Sequence, residues 1–460
     1  MTRLKTLSLF LLFLIAQIAC TGQINTGFVF QKDDTLLRNN YYNQSVKKKE
    51  QLIAALGKDH PKDYKKIYDE QFDEISKLWL STRPVTYAEA HSYLQAIVKK
   101  IIAANDELKD NDARIVFSRD WWPNAVSMGD GSIAINAGLM VYMNNEAELV
   151  FVICHELAHY YLQHTPKAIK KYIETVTSED YQSELKRLSK TTYGANKQLE
   201  ALGKNVMFNN RRHSRDNEAA ADYQAFLFMK KTGYDCGAII TSLKLLDKVD
   251  DSLLYKRLDL QQAFNADDFP FKRKWIQKES SIFSQADEST AVSAKEKDSL
   301  KTHPDCKKRI ALLADSIRQL TSVPGKKFQV DEKIFNKLRK DFAIEISEEC
   351  YREKKLSRNL YFSLLLMQAN EHTPLQIFSV ARCLNEIYLQ QKEHKLGLMI
   401  DAEDKTYPEE YNLLLRMLSR IRLDELAALN YSFCNQHYAL MKSYPGFETE
   451  MGIARKNKTE

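Results

Sequence analysis

Two histidines and a glutamate, closely spaced in an apolar stretch, are the strongest candidates for chemistry in this chain. His155, Glu156 and His159 form the pattern His-Glu-x-x-His within residues 150–164, VFVICHELAHYYLQH. Positions i and i+4 share one face of an α-helix, so both imidazoles can bind one metal ion, with Glu156 aimed at the water on that metal. Two imidazoles and one further carboxylate suit Zn²⁺ with an open fourth position, where bound water has a pKa near ~7. The pattern predicts a zinc-dependent hydrolase.

A second acidic pair offers the carboxylate that such a site needs. Residues 214–222 read SRDNEAAAD and open a second predicted helix, on which Glu218 and Asp222 are spaced i and i+4. Two lone acids on a helix ordinarily face solvent, but the three alanines between them favour close packing against another helix. We therefore predict Glu218 as the third ligand and Asp222 as the acceptor of the outer N–H of a ligand histidine.

A third candidate follows residues 277–301, a Ser-, Lys- and Glu-rich stretch that is typical of a linker or a mobile surface loop. His303 comes next, in THPDCKKRI, where a predicted helix begins or continues. A histidine held rigid by the following proline is well placed to act on a substrate. A lone histidine in such a place is more often a capping or surface residue, and the residues alone leave both interpretations open.

A small sheet is the element predicted directly before the His-Glu-x-x-His helix. Residues 114–118 and 132–136 have the composition of strands, with a turn at Asp130-Gly131. An exposed edge strand at this place can hold an extended peptide over the metal by backbone pairing, with Ala134 and Asn136 as the substrate-binding positions. The alternative is a hairpin that only packs.

The start of the chain predicts export. Arg3 and Lys5 precede an apolar run at residues 7–18, which is typical of a secretory signal peptide and too short for a comfortable membrane span. Ile18-Ala19-Cys20 is similar to the end of a bacterial lipoprotein signal, so two hypotheses stand: lipidation of Cys20, or cleavage near Gly22. The net charge of +6, from 67 basic and 61 acidic residues, is too balanced to argue for nucleic acid.

The four stretches HELAH, SRDNEAAAD, THPDCKKRI and NAVSMGDGSIAINAGL (residues 124–139) together resemble the HtpX and CAAX-prenyl-protease type of zinc metallopeptidase, a gluzincin family. The resemblance covers residues 87–313. At residues 128–131, Met-Gly-Asp-Gly replaces the family's apolar-Pro-Gly-Gly, which leaves the shape of the strand rim open. The resemblance implies one Zn²⁺ per chain, with the following ligands: His155, His159 and Glu218. It also implies Glu156 as general base, His303 as the group that stabilises the oxyanion or holds the substrate carbonyl, and Asp222 and Arg309 as supports of the ligands.

The resemblance also implies a location and a substrate class. The prenyl proteases and HtpX cross the membrane several times, whereas this chain has no predicted span after its signal, so it looks more like the family's exported, periplasmic members. It is expected in the periplasm or lipid-anchored to the outer membrane, with secretion less favoured and membrane contact only through Cys20. The implied function is a metalloendopeptidase for exported or misfolded envelope proteins, since some exported members act in outer-membrane protein quality control.

Two alternatives to a protease with an accessible active site remain. One is a zinc-binding chaperone or adaptor with little proteolytic activity, against which an intact Glu156 argues. The other is a protease autoinhibited by residues 277–301. The C-terminal helices either bind envelope protein partners or only buttress the catalytic domain.

Helical patterns dominate the rest of the chain, in which Gly and Pro number only 14 and 10 of 460 residues. The predicted fold is mainly α with a small β-sheet (α+β). It comprises a zincin-like catalytic domain with the HExxH helix and an all-helical C-terminal region. The predicted domains are a signal peptide (1–22), an N-terminal helical segment (23–84), the zinc metallopeptidase domain (85–320) and a helical C-terminal domain (321–460). The pairing of helices in the last domain suggests a helical repeat, although its sequence has no clean repeat period.

Overall fold

The computed structural model describes residues 28–189, 215–249, 258–277, 306–320, 325–369, 373–404 and 407–460. The predicted signal segment with Cys20, the 278–301 part of the predicted linker and His303 lie outside these residues. Helices dominate the described chain and one small sheet lies among them, so the prediction of a mainly α protein with a small β-sheet is confirmed.

Two N-terminal helices form a hairpin that packs on the sheet. Helix α1 (Thr35–Ala54) begins after Asp34, whose side chain caps the first turn. Helix α2 (Pro61–Trp79) begins with a proline. Proline has no backbone N–H, and this costs no hydrogen bond because N–H groups in the first turn have no intrahelical partner. The C-terminal part of α2 packs on the sheet through three buried residues: Ile75, Leu78 and Trp79.

The sheet has four strands in the order β1-β2-β4-β3. The strands are β1 (Pro84–Val85), β2 (Arg114–Ser118), β3 (Ala125–Ser127) and β4 (Ser132–Asn136). Strand β4 lies between β2, to which it is parallel, and β3, to which it is antiparallel. The crossover from β1 to β2 includes helix α3 (Ala88–Ala103), whose apolar face is buried in the main core. Strand β3 therefore forms one edge of the sheet.

The turn between β3 and β4 depends on two glycines with positive φ. Gly129 has φ 85° and Gly131 has φ 96°, values that other residues rarely adopt. A Cβ at Gly129 would lie 2.7–2.8 Å from side-chain atoms of Thr165 and Gln71. The Met-Gly-Asp-Gly sequence thus forms a rim that helices from two other parts of the chain enclose.

Eight further helices lie between the sheet and residue 320 in the described chain. They are α4 (Ala137–Met140), α5 (Glu146–Tyr161), α6 (His164–Thr177), α7 (Glu179–Ser189), α8 (residues 215–229), α9 (Ala238–Val249), α10 (Leu260–Phe264) and α11 (Cys306–Leu320). Helix α5 begins after Asn145, whose side chain accepts the N–H of Glu148 at 3.1 Å. It carries the His-Glu-x-x-His pattern and is buried over most of its length, including Cys154, which is fully buried as a small apolar residue.

Glu146, the first residue of α5, fixes the start of this helix. Its carboxylate is fully buried and accepts hydrogen bonds from the hydroxyls of Tyr93 and Tyr234. It also accepts three successive backbone N–H groups, from residues 329 to 331, at 2.9–3.2 Å. A negative charge in the first turn further suits the positive end of the helix dipole. The helix that carries both histidines is therefore tied to a distant part of the chain.

The chain after residue 331 is built from helices joined by short connections. They are α12 (Glu332–Arg352), α13 (Leu356–Gln368), α14 (Thr373–Lys392), α15 (Glu409–Arg420), α16 (Leu423–Met441) and α17 (Phe447–Thr459). Three buried serines on successive helices, Ser347, Ser363 and Ser379, are hydrogen-bonded in a row with Oγ–Oγ distances of 2.8 Å. Such satisfied buried hydroxyls fix how the helices align. A repeat architecture stays a prediction.

Besides the small cluster between α2 and the sheet, the described chain has two large apolar cores. The first lies among the sheet, α3, α5, α8, α9, α11 and α12, and contains Phe117 and Phe342, whose ring centroids are 5.0 Å apart. The second joins residues 258–275 to the helices from α13 onward. Helix α12 therefore packs on the part of the chain that contains the sheet, although it follows residue 320. Within the described ranges, no helix combines the length and apolar character needed to cross a bilayer.

Candidate active site

Three side chains from two helices converge on one point. His155 and His159, one turn apart on α5, place their Nε2 atoms 3.0 Å apart. Glu218 on α8 brings Oε2 to 3.6 Å from Nε2 of His155 and Oε1 to 3.3 Å from Nε2 of His159. One potential ligand atom from each residue lies within 4.8 Å of the other two. The structure thus brings together the three residues predicted as metal ligands.

Asp222 and Arg309 support this cluster from behind. Asp222 Oδ1 lies 2.9 Å from Nδ1 of His155, on the side of the ring that faces away from Glu218. Arg309 on α11 donates from Nε and Nη2 to both oxygens of Asp222, at 2.6 and 2.7 Å, and its Nη1 lies 2.8 Å from Glu218. All three side chains are nearly buried. One arginine therefore holds two carboxylates that come from the same face of α8.

The charges of the cluster explain its protonation. Burial raises the pKa of Glu218, but its hydrogen bonds to His155 and His159 and the nearby Arg309 outweigh this and hold it well below the ordinary value. The pKa of Asp222 is also lowered, because Arg309 and His155 outweigh the effect of burial. Burial lowers the pKa of His155, yet Asp222 and Glu218 reverse this and raise it to about 10. The two carboxylates thus favour a positive charge at this point, whether a proton or a bound cation supplies it.

The donor set fits Zn²⁺. Two imidazole nitrogens and one carboxylate oxygen are a common ligand set of catalytic zinc sites. Glu218 Oε2 is buried, with Nη1 of Arg309 at 2.8 Å and Nε2 of His155 at 3.6 Å. Both histidines direct Nε2 toward the Glu218 carboxylate, and the two Nε2 atoms lie only 3.0 Å apart. A cation bound between them would use both nitrogens as ligands. The residues present therefore fit the metal that the sequence predicts.

Glu156 lies beside the cluster and is not one of its three convergent groups. It is 5% exposed, and burial raises its pKa, whereas His155 and His159 lower it. A hydrogen bond with the backbone of Ser127, on β3, also lowers this pKa. Glu156 thus lies between the predicted ligands and the edge strand of the sheet, where a general base for a reaction at the metal is needed.

His164 belongs to the site but the sequence analysis did not single it out. Its Nδ1 lies 2.8 Å from Nδ1 of His159, and its side chain is buried, with the two rings nearly perpendicular. When His159 binds a metal through Nε2, its Nδ1 carries the proton, so His164 must accept. Burial and the neighbouring His159 lower the pKa of His164 to about 4, which keeps it neutral and able to accept.

The substrate-binding prediction for Ala134 and Asn136 needs a correction. Both residues lie on β4, which pairs with a strand on each side, so the expectation that β4 is an exposed edge strand is wrong. The Asn136 side chain donates to the Trp122 carbonyl at 3.0 Å. Both residues line a surface cavity of about 700 Å³ on the face of the sheet. The edge strand near Glu156 is β3, which lies one strand further out.

Comparisons with known proteins identify the family of this chain. A model of Peptidase family M48 matches residues 88–317, which are 230 of the 460 residues and half of the chain. The metalloprotease YcaL of Escherichia coli (strain K12) is 29% identical over 127 residues, which cover 28% of this chain and 48% of YcaL. The chain therefore spans about half the length of this relative. The predicted resemblance to zinc metallopeptidases is confirmed: the chain belongs to Peptidase family M48.

Proposed function

We propose that this protein is a zinc-dependent endopeptidase. The observation that carries the proposal is the convergence of His155, His159 and Glu218 at 3.0–3.6 Å beside the buried Glu156. When bound by these three residues, Zn²⁺ supplies a Lewis acid that polarises both a water molecule and the substrate carbonyl. Membership of a metallopeptidase family supports the same conclusion.

The other residues supply proton transfer and orientation. Glu156 takes a proton from the attacking water and passes it to the leaving amine, a general-base role typically worth ~10²–10⁴-fold in rate. Asp222 fixes the tautomer of His155 by accepting its Nδ1–H, and Arg309 keeps Asp222 ionised. His303, known here only from its sequence motif, is proposed to donate to the oxyanion, a contribution of about 3 kcal/mol for a single donor.

Strand β3 is proposed to hold the substrate. The even-numbered residues on and beside β3 form its hydrogen bonds with β4: Met128 N–H donates to the Ser132 carbonyl, and the Asn124 carbonyl accepts from Asn136 N–H. Alternation along a strand then directs the backbone groups of Ala125 and Ser127 outward. The Ser127 backbone reaches Glu156, so a polypeptide paired at Ala125 would lie next to the base.

The substrates and the location are proposed from the sequence. The export signal supports action on exported or misfolded envelope proteins, in the periplasm or from a lipid anchor at Cys20. The C-terminal helices, α12 onward, are the proposed site for envelope protein partners.

The test compares the mature wild-type chain with Glu156→Gln. We expect one zinc per chain in both proteins and casein cleavage in the wild type alone, with a loss of at least ~10²-fold in the variant. Full activity of Glu156→Gln would refute the mechanism. Zinc in both proteins with cleavage in neither would support the alternative of a zinc-binding chaperone or adaptor, or of an autoinhibited protease.

A further inference from the structure

A large groove opens beside the candidate active site. It measures about 840 Å³ and runs between α2 and α6, and we call it the α2–α6 groove. Its end reaches His159 and His164, and Asn217 on the helix of Glu218 also borders it. Binding clefts typically measure roughly 300–1,000 Å³, so this groove has room for a segment of chain and not merely one side chain.

The groove has apolar walls and charged rims. Ile67 of α2 and Ile169, Ile173 and Val176 of α6 line its interior, while Lys66, Lys167 and Lys171 lie along it with two acids of α2. The mixed rim charges disfavour a strongly acidic or strongly basic ligand. The half-buried Ile67 offers apolar contact to whatever enters. A polypeptide stretch with apolar side chains, such as an unfolded protein exposes, fits this lining.

The wall formed by α2 is fixed in place. Trp79 donates to Ser132 at 3.1 Å, and Gln71 donates to the Met128 carbonyl at the end of β3. Helix α1 holds α2 from the other side through the ion pair of Lys49 and Asp69 at 2.7 Å. Helix α2 therefore touches both the rim of the edge strand and the groove. It forms one continuous boundary along the site.

This boundary does not come from the peptidase family domain. The family match begins at residue 88, whereas α1 and α2 end at residue 79. Of the three predicted ligands, His159 has the most exposed side chain, at 19%, and it faces the groove. The N-terminal hairpin thus adds a wall to the most accessible side of the ligand cluster.

We propose that the α1–α2 hairpin selects substrates: the α2–α6 groove binds an apolar stretch of unfolded polypeptide that flanks the cleaved bond. This inference rests on the proposed peptidase function, because the bound polypeptide is a substrate only if the protein cleaves it. The groove determines which sequences reach the base, and Glu156 and the metal ligands determine that cleavage occurs. Selection and catalysis therefore reside on different parts of the chain.

The test places a charge in the groove. Ile67→Asp is compared with Ile67→Leu, which keeps an apolar contact, and with Ala54→Asp, which adds the same charge at an exposed position of α1. Cleavage sites in unfolded casein are mapped, and KM and kcat are measured on peptides with Leu or Lys at each flanking position. For Ile67→Asp we expect KM for the Leu peptides to rise about 10-fold with kcat within about two-fold, and preference to shift to Lys. Ile67→Leu and Ala54→Asp should match the wild type.

A binding measurement separates this inference from the proposed function. Fluorescently labelled, unfolded casein is titrated into Glu156→Gln with and without Ile67→Asp, and zinc content and Tm are recorded for each protein. Weaker binding with Ile67→Asp, at equal zinc content and Tm, supports the groove even if the wild type cleaves nothing. Equal binding and an unchanged cleavage map, in a protein that does cleave casein, overturn the groove and leave the peptidase intact.

Discussion

Replacing His164 by leucine should weaken zinc binding without unfolding the protein. The Nδ1 atoms of His164 and His159 are 2.8 Å apart, and the His164 side chain is buried. Leucine removes the acceptor and leaves the Nδ1–H of His159 without a partner in a part-buried position. An unsatisfied buried donor costs roughly 1–3 kcal/mol, and 1.4 kcal/mol is tenfold in a dissociation constant. We expect zinc affinity to fall about 10- to 100-fold, the range typical for partners behind a metal ligand.

The assay is competition for zinc against a chromophoric chelator at neutral pH. His164→Gln, whose side-chain carbonyl can accept the same hydrogen bond, should stay within a few-fold of the wild type. His437→Leu makes the same substitution at a partly buried position of α16 and should not change zinc affinity. Thermal unfolding of each zinc-free protein shows whether leucine disturbs the fold itself.

The reasoning fails if His164→Leu and the wild type have equal zinc dissociation constants. It also fails if glutamine is as damaging as leucine while the zinc-free proteins unfold alike, since then hydrogen-bond acceptance is not the property that matters. A loss confined to leucine assigns His164 the role of positioning His159.

Three further predictions concern stability and the metal. Glu146→Ala leaves five hydrogen-bond donors of its surroundings without their acceptor; urea denaturation should show a loss of at least about 3 kcal/mol, and a loss below 1 kcal/mol would contradict this. Although burial raises the pKa of Glu425, hydrogen bonds from Lys274 and Trp275 outweigh it and give a pKa of about 2, below the ordinary 4.5. Its contribution is therefore present above pH 4.5 and lost as the pH falls through 2, so Glu425→Gln should cost about 2 kcal/mol at pH 7 but nearly nothing at pH 2. Treatment with EDTA should abolish casein cleavage and lower Tm, while far-UV circular dichroism stays unchanged because Arg309 still pairs with its two carboxylates; activity that survives full metal removal would exclude a zinc peptidase.

The sequence predicted the parts of the site that are local. His155 and His159 meet because one helical turn separates them, and that follows from spacing alone. Glu218 could be selected because an acid among alanines on a helix needs a buried partner. The structure brings Asp222 and Arg309 to the same point, while the roles of these residues stay predictions. The family resemblance supplied Arg309, which no local pattern would have indicated.

The other features of the site depend on helix ends, strand pairing and tertiary contacts, which residue spacing does not show. On a continuous helix, His164 would point about 140° away from His159, five positions earlier. Helix α5 ends at Tyr161, and Gln163, with φ 56°, turns the chain so that the His164 side chain contacts His159. Strand β3 is only three residues long and has no alternating pattern, so the sequence predicts β4 as the edge strand. The sequence of the N-terminal segment predicts only helices, and the place of the α1–α2 hairpin beside the groove depends on tertiary contacts.

The wide separation of the site residues along the chain determines when the proposed metal site can be complete. Asp222 and Arg309 are 87 residues apart, and the histidine that Asp222 supports lies on an earlier helix. Contacts between such distant residues form slowly, because closing a long loop costs conformational entropy before the contact is gained. A chain still under synthesis, with residue 309 not yet made, lacks the cation that holds Asp222 and Glu218 in place. The proposed metal site therefore cannot be complete before synthesis has passed residue 309, and the helix that carries both histidines gains its backbone contacts with residues 329–331 later still.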